Sequence, residues 1–131
     1  MRPGFVIPTV LMFALSVIAC ATPVRPASVA PFEGQWQGQW RNVNNEVGGV
    51  EVNITRFNDH TVMMTGRVYW VGGELGVSRP LELRNGELST MPGAPFSQIL
   101  TLYGENRLQG EYHWITTGGR GSWYLTRSRS K

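Results

Sequence analysis

From Gly34 onward, apolar and polar residues alternate one for one. In Gly34-Gln35-Trp36-Gln37-Gly38-Gln39-Trp40-Arg41, both Trp residues and Gly38 share one parity and all the Gln residues take the other. Successive side chains of a strand point to opposite faces, so period two marks a strand with one buried face. The pattern returns in 49–56, with Val50, Val52 and Ile54 inward. In 61–71 it places Val62, Met64, Gly66, Val68 and Trp70 inward and Met63 and Tyr69 outward. In Phe96–Tyr103 it groups Gln98, Leu100 and Leu102. In Arg107–Trp114 it turns Leu108, Gly110, Tyr112 and Trp114 inward, and in 121–127 Trp123 and Leu125. The middle is less regular. Leu81 and Leu83 lie inward in 77–83, but Pro80 has no N–H for a ladder, which predicts an edge or bulged strand there.

Turn chemistry separates these runs: Asn42-Val43-Asn44-Asn45-Glu46, Asn58-Asp59-His60, Gly72-Gly73, Gly104-Glu105-Asn106 and the segments 91–95 and 116–120. Asn85-Gly86 is the strongest hairpin signal, because both residues tolerate the positive φ of a tight turn. About eight short strands at a spacing near ten residues predict an antiparallel meander. A sheet of that size twists and must close or split, so the expected fold is all-β, a small up-and-down barrel. Gly38, Gly66 and Gly110 sit in mid-strand on the inward face, where a closing sheet bends most sharply.

The first part of the chain follows another rule. Met1-Arg2 is positive, residues 5–19 are apolar, and Cys20 follows directly. The apolar stretch falls short of the roughly 17–25 residues of a spanning helix, and its flanks are those of a secretory signal. Cys20 is the only cysteine in the chain. A lone thiol bound for an oxidising compartment lacks a disulfide partner and calls for another role. Residues 21–32 hold Pro23, Pro26 and Pro31 among small residues and are expected to form a tether, reaching roughly 35 Å at about 3.1 Å per residue. The predicted organisation is a signal peptide over 1–19, Cys20 and a proline-rich linker over 20–32, and a barrel domain over 33–131.

Composition narrows the partners. Without Arg2 the chain keeps eleven basic residues against nine acidic ones, a formal charge of +2. No basic stripe interleaved with aromatics points to nucleic acid. Arg120, Arg127, Arg129 and Lys131 crowd the C-terminus; a solvated tail is expected there rather than a contact with anionic lipid heads or peptidoglycan.

Two resemblances carry the reading further. Val17-Ile18-Ala19-Cys20 resembles the lipobox of bacterial lipoproteins. That likeness implies acylation of Cys20, cleavage before it, and membrane attachment through the acyl chains. With Ala21 next, it implies an outer-membrane lipoprotein facing the periplasm. Gly34-Gln35-Trp36 near the start, with Arg127 near the end, is similar to the calycin superfamily of lipocalins, fatty-acid-binding proteins and avidins. There a Trp packs across the barrel floor under a late basic residue. The resemblance implies a cation–π pair between Trp36 and Arg127.

The inward set Trp36, Trp40, Trp70, Tyr112, Trp114 and Trp123 has two readings. The rings line a cup for a small apolar or ring-bearing ligand, or they fill the core of a domain too small to leave space. Filling is the expectation. The histidines offer little chemistry: His60 falls in a turn, and His113 shares an outer face with Glu111. No Cys/His spacing suits a metal, and no Ser lies in a nucleophile motif. The function expected is non-covalent binding by a monomeric lipoprotein, with no cofactor. The bound species is a small apolar molecule or an envelope protein. The alternative is an interaction lipoprotein, an inhibitor or assembly accessory, working through loops 72–76 and 91–95. A hydrolase is the remaining class.

Overall fold

The computed structural model describes residues 22–128. The expected signal helix and Cys20 lie outside them. Nine strands follow in chain order: β1 (Pro23–Val24), β2 (Gly34–Asn42), β3 (Val47–Asn58), β4 (Thr61–Trp70), β5 (Gly73–Arg84), β6 (Glu87–Thr90), β7 (Phe96–Tyr103), β8 (Arg107–Trp114) and β9 (Arg120–Arg127). β2 to β9 pair antiparallel with their sequence neighbours, and β9 returns to β2 to close an eight-strand up-and-down barrel. The closing ladder runs from Trp36 opposite Arg127 to Asn42 opposite Gly121.

Closure draws on the predicted glycines. At Gly38 a methyl group would collide with the Tyr124 carbonyl oxygen, and at Gly66 with that of Glu51. Side chains at these two points would hold neighbouring strands apart where the sheet coils hardest. Asn85 and Gly86 both adopt positive φ, 52° and 80°, in the two-residue turn between β5 and β6.

The β3–β4, β5–β6 and β7–β8 turns gather at one end, the floor. The floor half is filled. Phe32, Trp36, Ile54, Met64, Leu81, Leu88, Leu100, Leu102, Leu108 and Leu125 are fully buried there. For Trp36, Ile54, Met64, Leu81, Leu108 and Leu125 the inward parity is the one read from the sequence.

Three features differ from the sequence expectation. First, the proline-rich stretch does not hang free over its last residues. β1 pairs with the floor end of β7, and the Arg25 guanidinium donates to the Asn85 carbonyl oxygen at 2.9 Å. A 3-10 turn, Ala30–Phe32, then crosses the floor with Val29 and Phe32 both fully buried. Two apolar side chains among the prolines are enough to dock the segment, because the open barrel end offers them a dry surface.

Second, the strand is not bulged at Pro80: β5 pairs with β4 without interruption from Gly73 to Glu82, with Pro80 opposite Met63. On its other side β6 begins pairing only at Leu81, so the missing N–H has no ladder bond to forfeit. Third, 72–76 is not a loop. β5 starts at Gly73, leaving Val71-Gly72 as the turn. Cross-strand pairing, reinforced by an Arg67–Glu74 ion pair at 2.7 Å, overrides the low strand propensity of the glycines.

The C-terminal basic residues also divide. Arg120 and Arg127 stand at opposite ends of β9, one beside the mouth and one on the floor. Arg129 and Lys131 lie outside the described residues.

Candidate functional site

The inward aromatics separate along the barrel axis. Trp36 is 1% exposed and belongs to the floor. Its indole N–H donates to the Phe32 carbonyl oxygen at 2.9 Å. The Arg127 guanidinium carbon stands 4.3 Å from the centroid of the ring. The same guanidinium donates to the carbonyl oxygens of Glu33 at 2.6 Å, Pro31 at 2.8 Å and Glu105 at 3.0 Å. Arg127 thus ties the 3-10 turn, the β7–β8 turn and the Trp36 ring into one plug. It acts as a floor clamp.

Trp40, Trp70, Tyr112, Trp114 and Trp123 lie in the other half and surround space. They line a cup of about 300 Å³ that opens at the mouth. The rings do not fill the barrel above the floor core, contrary to expectation. Trp40 is fixed by its indole N–H, which donates to the Tyr69 carbonyl oxygen at 2.9 Å. Burial pushes the Tyr112 phenol above the ordinary tyrosine pKa.

Phe96 joins this set, and the sequence reading had not singled it out. It packs 4.4 Å from the Trp114 ring at an interplanar angle of 59°, and 5.9 Å from Tyr112 in a stacked arrangement. Its position two residues before Gln98 on the inward parity of β7 was the available signal.

Two of the polar residues that line the cup have buried side-chain atoms without a partner. Gln98 is 1% exposed, and neither its side-chain nitrogen nor its oxygen has a partner among the described residues. Its backbone N–H is satisfied by the Thr90 hydroxyl at 3.1 Å, where β6 ends. Arg79 shares the inward parity of Val77 and Leu81 on β5. Its guanidinium lies 4.1 Å over the Phe96 ring, and its Nε is buried without a partner. Burial lowers its pKa from the ordinary arginine value. The short β6 explains the contact. Above Thr90 no strand separates β5 from β7, so Arg79 reaches across the gap to Phe96. Stepping back by twos from Leu81 would have flagged Arg79 as an inward charge.

The remaining candidates lie elsewhere. His60 is exposed in the β3–β4 turn. His113 and Glu111 sit on the outer face of β8, in register with Ser97 and Ile99 of β7 respectively. Among the described residues, no three His, Cys, Asp or Glu side chains gather as metal ligands do. Tyr69, on the outer face, donates its hydroxyl to Glu51 at 3.0 Å, which raises its pKa. Of the two loops named as contact surfaces, 91–95 remains one and bridges the top of β6 to β7. At the mouth, Val43, Val71 and Ile115 are largely exposed.

No protein-family model matches the chain, and no curated protein does. Solved structures do. A redesigned β-barrel, b11L5F_LGL, superposes with a TM-score of 0.64 at 11% identity, over 79% of this chain and 96% of that one. The structure of EF1p2_mFAP2b bound to DFHBI superposes with a TM-score of 0.61 at 9% identity, over 80% of this chain and all of that one. At such identities the likeness is one of fold: this chain is similar to small closed β-barrels.

Proposed function

We propose that this protein is a lipid-anchored cell-envelope binder whose barrel holds a small ring-bearing molecule without covalent chemistry. One observation carries the reading: a cup of about 300 Å³, walled by aromatic rings, stands open above a fully packed floor. That volume is at the lower end of small-molecule sites, which run about 300–1,000 Å³ and combine apolar walls with a few polar groups. The barrel seen with DFHBI supports the idea that this architecture accommodates a small molecule. A binding role, rather than an enzymatic one, is supported by the cup's lining. Its polar side chains are arginine, Gln98, Asn42 and the Tyr112 phenol, with no nucleophile set against a base.

Attachment to the outer membrane through Cys20 rests on Val17-Ile18-Ala19-Cys20. The path of the chain is compatible with it. The described residues begin beside β1, at the floor end of β7. An anchor there would direct the mouth away from the bilayer, toward the periplasm. Native mass spectrometry of the protein extracted from its own membranes tests both parts. The expected species is cut before Cys20, carries acyl chains and retains a small-molecule mass. A bare, uncut chain would defeat the anchor, and an empty barrel that stays empty across candidate ligands would defeat the cup. Cys20→Ala should leave the precursor uncut.

A second reading has its own support. Val43, Val71 and Ile115 make the rim apolar as well as the cup. A protein partner seated on the mouth would cover them, and replacing all three by Ser would then abolish co-purification of that partner.

A further inference from the structure

The cup carries a sign. Arg79 and Arg120 line it, and no carboxylate does. Four arginines of the outer surface pair with carboxylates: Arg25 with Glu87, Arg56 with Asp59, Arg67 with Glu74 and Arg84 with Glu82. Arg79, on the inward parity of β5, has no such partner among the described residues. Its guanidinium lies over the face of the Phe96 ring.

Gln98 adds an independent observation. It is almost completely buried, it borders the same cup, and both ends of its amide are unpartnered. The inward positions below it on β7 are Leu100 and Leu102, and the one below Arg79 on β5 is Leu81. Leucines at Arg79 and Gln98 would continue that core. An unpaired inward charge and an orphaned amide instead lower stability, and they sit where a ligand could satisfy both.

Resting on the reading of the cup as a small-molecule site, we propose that its ligand is an anion: a flat aromatic monocarboxylate. Its rings lie among Trp40, Tyr112 and Trp123, and its carboxylate takes the Arg79 fork and the Gln98 amide N–H. A guanidinium matches a carboxylate with two parallel hydrogen bonds, and low-dielectric walls strengthen them. A cationic ligand would meet two arginines. A neutral hydrocarbon would leave Arg79 and Gln98 as unsatisfied as they are without it. The Gln98 carbonyl oxygen adds a preference for a hydroxyl or N–H on the same ligand.

The test uses the full chain, extracted from membranes into nanodiscs of zwitterionic lipid. It is titrated with 2-naphthoate and with the uncharged 2-naphthamide while tryptophan fluorescence is followed. The expected result is saturable binding of both, with naphthoate at least tenfold tighter. In Arg79→Met that preference falls below twofold, while the melting temperature rises because the buried, unpartnered Nε is gone. The rise also shows that the variant is folded. Arg79→Lys, which keeps the charge but not the fork, retains part of the preference. Equal affinity for the two probes, or a preference that survives Arg79→Met, overturns the anion assignment and leaves the cup standing. Saturable binding of neither probe up to millimolar concentration overturns the cup reading and the anion assignment together.

Discussion

Below Leu81 and Leu100 the inside of the barrel is filled, and no buried side-chain donor among the described residues there lacks a partner. Above them, the same strands enclose empty space and leave polar groups without partners. Trp36 and Trp123 show the contrast within one residue type. Trp36 is buried beneath an arginine and donates to a backbone carbonyl. Trp123 is nearly as buried, 4% exposed, but one side of it borders the cup. The two inward arginines repeat the lesson. Arg127 makes four hydrogen bonds to backbone carbonyls on the floor, while Arg79 rests on a ring with its Nε unpaired. Stability is concentrated at one end and recognition at the other, and substitutions should separate the two.

The largest effect is expected at the floor. Trp36→Ala removes the central side chain of the plug and should cost about 3–5 kcal/mol of folding stability, read from the denaturant midpoint. A loss near zero would mean that the floor is not the stable half. Next, Arg127→Ala should cost about 2 kcal/mol, because the clamp is partly exposed and solvent replaces some of its bonds. Arg127→Lys should recover less than half of that, since an ammonium cannot reach several carbonyls at once.

At the mouth the sign should reverse. Gln98→Leu is expected to stabilise the unliganded protein by about 1 kcal/mol, seen as a higher melting temperature, by removing an orphaned buried amide. A destabilised Gln98→Leu would indicate that the amide is satisfied in solution, by water. The smallest effect is expected at Trp70, which is 45% exposed. Trp70→Ala should change stability by less than about 0.5 kcal/mol while weakening ring binding severalfold in a fluorescence titration.

Much of this was readable in the chain. Period two placed Val62, Met64, Leu108 and Leu125 inward and set Leu100 and Leu102 on one shared face, and the structure buries all of them. Asn85-Gly86 announced its turn because few other pairs accept two positive φ angles. Parity also held Arg79 and Gln98 on the inward face. They escaped notice because a strand alone does not say whether an inward polar residue meets a partner. Residues 23–32 read as a tether because prolines and small residues resist regular structure. Val29 and Phe32 dock only because closure creates an open end of the right width for them.

Local alternation, turn residues and mid-strand glycines therefore determined a closed antiparallel barrel, since each acts within a few residues along the chain. Whether the aromatic side chains would pack together or stand apart was decided only in three dimensions. It depends on how far opposite walls are held from one another. Here the early end of β6 matters most, because it opens the wall between β5 and β7 and lets Arg79 lie across Phe96. No pattern within a single strand encodes the distance to the strand across the barrel.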